Sequence, residues 1–457
     1  MTRNVSEFIM RLMKIMNVIL MTLPFAMGWM LYYAERIAAP YYAKGNYLII
    51  ALFAVFYITY IHVYEGFAVS LSKRSEIIYS QSLAALVSDS IMYFITWLLT
   101  KSFPTLLPSL LVFIVQVIVS VIWTRIITDW YTNTVPARRT VIVYDMREGM
   151  ENLIVEYGLD SKFDVKHVVN VEECQKDNYK ILENIERVFM CGVHSHDRNA
   201  ILKYCVAENI DTYVIPRIGD TLMSSAKQMH MFHLPILRVH RYAPRIEYLF
   251  IKRLIDIVAS GIGLIVASPI MLITAIAIKA YDKGPVFYKQ CRLTKNGKKF
   301  DVLKFRSMGT DAEKDGVARL STGTKDSRIT PVGNIIRKTR IDELPQLINI
   351  LKGDMTIVGP RPERPEIAEQ YEKELPEFKL RLQAKAGLTG YAQMYGKYNT
   401  TPYDKLQMDL MYIAKPSLLE DIRIMFATVK ILFMSESTEG VSEGQTTASD
   451  GMRENGE

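Results

Sequence analysis

Two adjacent carboxylates, Asp342 and Glu343, follow a basic run at residues 337–340 and stand directly before Leu344-Pro345. An Asp-Glu step by itself is typical of a capped or solvated helix start. Here Arg337 of the basic run is joined by further cations on both sides in the sequence, Lys304 and Arg306 before the pair and Arg361 after it. Arg361 lies within a rigid proline turn, between Pro360 and Pro362. Carboxylates among guanidinium and ammonium groups suit a divalent metal that holds a diphosphate. This stretch therefore predicts a site for a diphosphate and a divalent metal ion.

An ordered series of motifs extends around this pair, without an obvious gap, over residues 250–433. The series resembles the bacterial sugar transferases, the polyprenol-phosphate sugar-1-phosphate transferases of the monotopic phosphoglycosyl transferase type. The motifs that carry the resemblance are Lys252-Arg253-x-x-Asp256, Ser268-Pro269, Gly284-Pro285-Val286-Phe287, Lys304-Phe305-Arg306-Ser307-Met308, Asp311-Ala312-Glu313, Arg328-Ile329-Thr330, Asp342-Glu343-Leu344-Pro345-Gln346 and Gly359-Pro360-Arg361-Pro362.

The resemblance implies a transferase that moves a sugar-1-phosphate from a UDP-sugar to polyprenol (undecaprenyl) phosphate, for exopolysaccharide, capsule or O-antigen (lipopolysaccharide) synthesis. It implies Asp342 as the nucleophile of a covalent phospho-sugar intermediate, with UMP as the leaving group, and Glu343 as a magnesium ligand with Asp342 beside it. If the pair lies on an α-helix, the two side chains point about 100° apart, toward phosphorus and metal respectively. The predicted substrate-binding residues are Lys304, Arg306, Arg337, Gln346, Pro360, Arg361 and Lys397.

Four positions depart from the family pattern: Asn334, Ala386, Tyr391 and Lys397. None of them touches the carboxylate pair. They leave the reaction class unchanged and the sugar open between glucose, galactose and an N-acetyl sugar.

The first 130 residues concentrate the apolar content of a chain that is 49% hydrophobic overall. Four stretches of near-membrane length, at 15–33, 47–69, 77–99 and 106–124, predict a four-helix transmembrane anchor in residues 1–134. Their flanking Lys and Arg residues place both ends of the anchor in the cytosol. The expected location is the bacterial inner (cytoplasmic) membrane, with the catalytic domain facing the cytoplasm.

A fifth apolar stretch, at 254–280, is long enough to cross a membrane, yet it carries basic residues at both ends. A straight crossing would export Lys279, Lys283, Lys289 and Arg292, against the positive-inside rule. Pro269 removes a backbone donor to Ile265, and the Ser268 hydroxyl can bond a freed carbonyl. These features, and the resemblance, predict a re-entrant helix in a monotopic α/β catalytic domain at 245–433.

Residues 135–244 read as a Rossmann-like α/β module with short strands near 140–144, 165–169, 188–190 and 212–215. A dinucleotide site needs G-x-G-x-x-G after the first strand, and the chain has Asp145-Met146-Arg147-Glu148-Gly149 there. His194 and His196 lack a third metal ligand nearby, so a regulatory or assembly role is expected. Residues 434–457, rich in Ser, Glu and Gly, predict a flexible tail.

Two other functional classes remain open at this stage, a membrane-anchored sugar-nucleotide dehydratase or epimerase and a non-catalytic assembly scaffold. The first lacks its glycine motif, and the second leaves the carboxylate pair unexplained. Four scattered cysteines indicate neither zinc nor disulfides. A net charge of +7 without a basic-aromatic stripe excludes a nucleic-acid partner. The polymer and the oligomeric state, a homodimer among the options, stay open.

Overall fold

The structure is a computed structural model that describes residues 3–41, 44–145, 147–160, 162–309, 328–396 and 400–432. The chain forms two compact units, which divide between Pro216 and Arg217. The predicted tail, the Asp311-Ala312-Glu313 motif and Lys397 lie outside the described residues.

The first unit begins with four long helices whose outward faces are apolar. They are α1 (Arg3–Gly28, continued by a π-helical turn at Trp29–Tyr33), α2 (Lys44–Val63), α3 (Arg74–Leu99) and α4 (Leu107–Thr134). Leu12, Ile19 and Leu110 are exposed, while polar side chains meet inside, where Gln81 accepts hydrogen bonds from Asn17 and Ser120. By length and composition, five helices in the described chain are able to cross a membrane, these four and one in the second unit. The predicted count of four crossings stays a prediction.

A four-stranded parallel sheet follows the helices. Its strands are β1 (Arg138–Tyr144), β2 (Phe163–Asn170), β3 (Arg187–Cys191) and β4 (Asp211–Val214), in the spatial order β2-β1-β3-β4. Val141, Ile142 and Val143 of β1 are at most 1% exposed, as expected for a central strand covered on both faces. The predicted strands are all present, and Gly149 begins the first crossover helix with φ of 84°. The helices between the strands are α5 (Met150–Glu156), α6 (Val171–Lys176) and α7 (Ser195–Ala207).

The second unit opens with α8 (Ile218–Ser224), the hairpin β5 (Lys227–Met231) and β6 (Leu234–Arg238), and the long helix α9 (Ile246–Asp282). Ile218, Leu222 and Tyr242 pack against the core of this unit, although the sequence assigned residues 217–244 to the preceding module. The remaining elements are β7 (Phe287–Leu293), β8 (Lys299–Phe305), α10 (Pro331–Lys338), α11 (Gln346–Lys352), β9 (Thr356–Val358), α12 (Pro365–Glu374), β10 (Gly387–Thr389), α13 (Tyr391–Tyr395), α14 (Pro402–Ala414) and α15 (Leu418–Leu432).

The Lys252-Arg253-x-x-Asp256 motif fastens the start of α9 to this unit. Lys252 pairs with Asp421 at 2.8 Å, and Arg253 donates to the carbonyls of Ile350 and Leu351 at 2.6 and 2.8 Å. The buried Asp256 carboxylate accepts from the Thr356 hydroxyl and the Ile357 amide. The motif that carries part of the family resemblance therefore also anchors the start of α9 to the second unit.

Pro269 lies within α9, which the structure assigns as one helix. The Ser268 hydroxyl donates to the Ile265 carbonyl at 2.8 Å, which confirms the predicted replacement of the hydrogen bond that proline cannot donate. The apolar residues on either side of Pro269 are exposed, Ile265 at 75% and Ile273 at 67%.

Candidate functional site

The Asp342-Glu343 pair lies in a tight turn between two short helices. Thr330 caps α10 by accepting from the Gly333 amide at 2.9 Å, and Arg340 then turns the chain with φ of 57°. Residues Ile341–Glu343 form a single 3₁₀ turn, and Pro345 leads into α11. Since a 3₁₀ turn has three residues per turn, the two carboxylates diverge by about 120°. The α-helical spacing assumed from the sequence was wrong, but the pair still points in two directions.

Glu343 is held by two cations from separate parts of the fold. Its Oε1 accepts from Lys304 Nζ at 2.9 Å and from an Arg361 Nη at 2.7 Å. Lys304 comes from the end of β8, and Arg361 from the loop after β9. Two residues predicted to bind substrate thus converge on the predicted metal ligand.

Burial and neighbouring charges shift the pKa values of the two carboxylates in opposite directions. Burial raises the pKa of Asp342 to about 6, with Glu343 adding to the rise, while Lys304 and Arg337 oppose it. Burial also disfavours the charged form of Glu343, but Arg361, Lys304 and Arg340 outweigh it and hold its pKa well below the ordinary value. Glu343 is consequently a fixed anion, and Asp342 is a buried carboxylate beside it.

Arg306 occupies a different place from the other predicted substrate-binding cations. Its guanidinium pairs with Asp282 at the end of α9 and donates to the Pro285 carbonyl at 2.7 Å. The side chain is buried, with 8% exposed. This placement ties the end of α9 to β8. The role of Arg306 in substrate binding stays a prediction.

Pro360 and Arg361 lie on a loop that three glycines bring close to a neighbouring turn. The amide of Gly359 donates to the Thr389 carbonyl, and that of Gly387 to the Pro360 carbonyl, both at 2.8 Å. A Cβ on Gly387 would lie 2.2 Å from the Gly359 nitrogen, and one on Gly390 would lie 2.3 Å from the Gly359 oxygen. The backbone approach that positions Arg361 therefore requires glycine on both strands of this contact.

Replacing Gly387 with Ala should lower stability by about 1–3 kcal/mol, because the two backbones must separate and carry Arg361 away from Glu343. Thermal unfolding would measure this effect. Gly219→Ala is the matched control, since a Cβ there meets nothing within 4 Å. An unchanged melting temperature of the Gly387→Ala protein would contradict the close approach.

A buried ionic layer supports the Arg361 loop, and the sequence did not reveal it. Arg381 donates to the Arg361 carbonyl at 2.8 Å and pairs with Asp409 at 2.7 Å. Arg292 and Arg381 both lie within 4 Å of Glu363, at 3.6 and 3.8 Å. These charges are far apart in sequence and carry no motif spacing, so only the fold brings them together.

The other predicted site residues that the structure describes lie on three helices, α9, α10 and α11. Arg337, on the last turn of α10, favours the ionised form of Asp342 by its charge. Gln346 is 4% exposed at the first position of α11. Ser268 and Pro269 lie in α9.

The carboxylate pair offers oxygen ligands of the kind that magnesium prefers. The described residues contain no group of three His, Cys, Asp or Glu side chains placed to hold a metal ion. Magnesium bound with a phosphorylated substrate commonly takes only one or two protein carboxylates, and phosphate oxygens and water supply the other ligands. Asp342 and Glu343 fit that donor set.

Comparison with known proteins identifies the family of the chain. A family profile described as bacterial sugar transferase matches residues 247–435, and the chain belongs to this family. The resemblance drawn from the motifs is thereby confirmed.

Three relatives illustrate the range of the family. The chain is 38% identical over 234 residues to the UDP-N-acetylgalactosamine-undecaprenyl-phosphate N-acetylgalactosaminephosphotransferase of Aeromonas hydrophila, which covers 50% of this chain and 54% of the relative. It is 35% identical over 262 residues to the UDP-glucose:undecaprenyl-phosphate glucose-1-phosphate transferase of Klebsiella pneumoniae, and the match covers 55% of this chain and 56% of the relative. An exopolysaccharide production protein of Rhizobium leguminosarum bv. phaseoli is 41% identical over 201 residues, 42% of this chain and 98% of the relative. The chain thus spans about half the length of the first two.

Proposed function

We propose that this protein is a phosphoglycosyl transferase that moves a sugar-1-phosphate from a UDP-sugar to undecaprenyl phosphate and starts the synthesis of a surface polysaccharide. The observation that carries this proposal is the buried Asp342 beside Glu343, which Lys304 and Arg361 hold in place. The relatives named as undecaprenyl-phosphate transferases support the same reaction. Since one acts on an N-acetylgalactosamine donor and the other on a glucose donor at similar identity, the sugar is left to experiment.

The reaction that fits the pair proceeds in two displacements. A carboxylate oxygen of Asp342 bonds to the sugar-proximal phosphorus, the bond from that phosphorus to the bridging oxygen breaks, and UMP leaves. An oxygen of undecaprenyl phosphate then bonds to the same phosphorus and releases Asp342 as a carboxylate. Lys304, Arg337 and Arg361 would balance charge on the diphosphate oxygens.

We further propose Mg²⁺ as the cofactor, held by Glu343 with Asp342 adjacent. The ion would neutralise charge on the diphosphate oxygens. The chain's own contribution is to keep Glu343 ionised and oriented, through Lys304 and Arg361, before any substrate arrives.

We also propose that α9 enters the membrane and returns to the same side. Both of its ends bind the second unit, Arg253 through the Ile350 and Leu351 carbonyls and Asp282 through Arg306. A straight crossing would have to separate two ends that share one compact body. In this arrangement α1–α4 form the membrane anchor, the parallel sheet is the Rossmann-like module, and Asp342 faces the cytosol.

Cysteine labelling tests this topology. In a background without Cys174, Cys191, Cys205 and Cys291, cysteines at Ile251 and Tyr281 should both resist an impermeant thiol reagent in intact cells and react after lysis. Tyr281 is chosen because it is exposed, whereas its neighbour Asp282 binds Arg306. Labelling of position 281 from outside the cell would overturn the re-entrant arrangement.

Truncation tests which part of the chain carries the chemistry. A protein lacking residues 1–216 should remain in the membrane and release UMP, because the second unit contains α9 and every proposed catalytic residue. The Rhizobium relative, matched over 98% of its length, consists almost entirely of the corresponding region. A folded, membrane-bound fragment without activity would show that the first unit contributes to the reaction.

The function itself is tested by incubating detergent-solubilised protein with single UDP-sugars, undecaprenyl phosphate and Mg²⁺, and following UMP. We expect UMP release with one or a few sugars. Conversion of the sugar nucleotide without loss of UMP would indicate the dehydratase or epimerase class. No change in any donor would favour a scaffold.

A further inference from the structure

The first unit contains a basic cavity that the proposed reaction does not use. Its volume is about 260 Å³, and it lies where the start of α1, the loop after α2, the end of α4 and the first residues of β1 and β3 meet. Its wall combines four cations with aromatic rings, namely Arg11, Lys14, Arg138, Arg187, Phe67 and Tyr131. Since it joins helix ends to the parallel sheet, it lies at the membrane surface if α1–α4 cross the bilayer.

Arg187 is the most buried of the four cations in this wall. It opens β3 and is 6% exposed, with its guanidinium 5.0 Å from the Phe163 ring centre and 5.7 Å from that of Tyr213. Its Nε has no hydrogen-bond partner within the described part of the chain. An arginine keeps its charge at any physiological pH, and a buried donor of a charged group that lacks a hydrogen-bond partner is costly. The side chain thus indicates an anionic ligand.

The nearby acidic charge does not offset these cations. Asp211 lies in register with Arg187 on β4, and its carboxylate pairs with Arg138 at 2.8 Å. Lys14 lies 5.8 Å from the centre of the Phe67 ring. An arginine fork beside a lysine and a ring is suited to phosphate oxygens.

Hydrogen bonds hold the loop after α2, which forms part of the cavity wall. Lys162 donates from its ammonium group to the carbonyls of Val69 and Ser72, at 2.7 and 2.9 Å. Val69 and Ser70 of that loop belong to the cavity wall. A preformed site loses less conformational entropy on binding.

We propose that this cavity binds a phosphate-bearing anion through Arg11, Lys14 and Arg187. Two sources have this chemistry, the headgroup of an anionic phospholipid and a soluble phosphate compound. Basic pockets between helices at the cytoplasmic face are suited to lipid headgroups. In either case, the bound anion joins the membrane helices to the parallel sheet and stabilises the first unit.

Thermal unfolding of the full chain in nanodiscs tests the proposal. Nanodiscs of phosphatidylcholine are compared with nanodiscs that also contain phosphatidylglycerol, and inorganic pyrophosphate is added to the former. The variants are Arg187→Met and Lys14→Gln. Arg139→Gln is the control, because Arg139 is an exposed cation on β1 that does not line the cavity.

If a lipid headgroup is the ligand, phosphatidylglycerol should raise the melting temperature of the parent and of Arg139→Gln by about 3 °C or more, and both cavity variants should lose that rise. If a soluble phosphate is the ligand, pyrophosphate should give the same pattern in phosphatidylcholine. Equal responses of the parent and the cavity variants to both additions would overturn the proposal. If Arg187→Met does not fold, Lys14→Gln decides alone.

Discussion

Asp342→Asn should reduce UMP release by more than about a thousandfold, because the amide keeps the shape of the side chain and loses the anionic nucleophile. Asp342 is only 9% exposed. Because an amide has nearly the same size as a carboxylate, the substituted side chain should occupy the same buried space. The measurement is UMP release with the preferred UDP-sugar and undecaprenyl phosphate.

The matched control for this substitution is Asp301→Asn, which removes an exposed carboxylate from β8 and should leave the rate near that of the parent. A folded Asp342→Asn protein that turns over at a rate close to the parent would assign the nucleophile to another residue. The melting temperature of both variants distinguishes lost chemistry from lost folding.

Glu343→Gln should lower the rate by about 10²–10³-fold. The neutral amide leaves Lys304 and Arg361 without the anion that they share at 2.9 and 2.7 Å, and it weakens the proposed magnesium site. We therefore expect the variant to require more Mg²⁺ for half of its own maximal rate.

Glu366→Gln, on the exposed side of α12, is the control for this second substitution. A Glu343→Gln protein with the parent's rate and the parent's Mg²⁺ dependence would exclude Glu343 from both proposed roles. An equal loss of activity in Glu366→Gln would point to a general effect of removing acidic charge.

Local patterns in the sequence predicted those features that depend on local chemistry. Apolar runs indicated the long helices, and short buried strands separated by helical stretches indicated the parallel sheet. The Asp342-Glu343 pair was recognisable by the cations that surround it in the sequence. The hydrogen bond from Ser268 followed from the missing donor of Pro269, because that effect reaches only a few residues. Each of these inferences depends on a single segment of the chain.

Other features depend on segments that meet only in the folded chain. Arg306 pairs with Asp282 at the end of α9, whereas Lys304 contacts Glu343, and nothing in the Lys304-Phe305-Arg306 motif distinguishes the two cations. Arg381 and Asp409 are 28 positions apart in the numbering and form a buried pair at 2.7 Å. The residues 217–244 joined the second unit because their apolar side chains pack on its core.

The covalent step is the central claim, and intact-protein mass spectrometry with peptide mapping tests it most directly. The parent protein, given a UDP-sugar and Mg²⁺ without undecaprenyl phosphate, should gain the mass of one sugar phosphate on the peptide that contains Asp342. Addition of undecaprenyl phosphate should then remove this mass. Efficient turnover with no such species, or an adduct on a peptide without Asp342, would contradict the account.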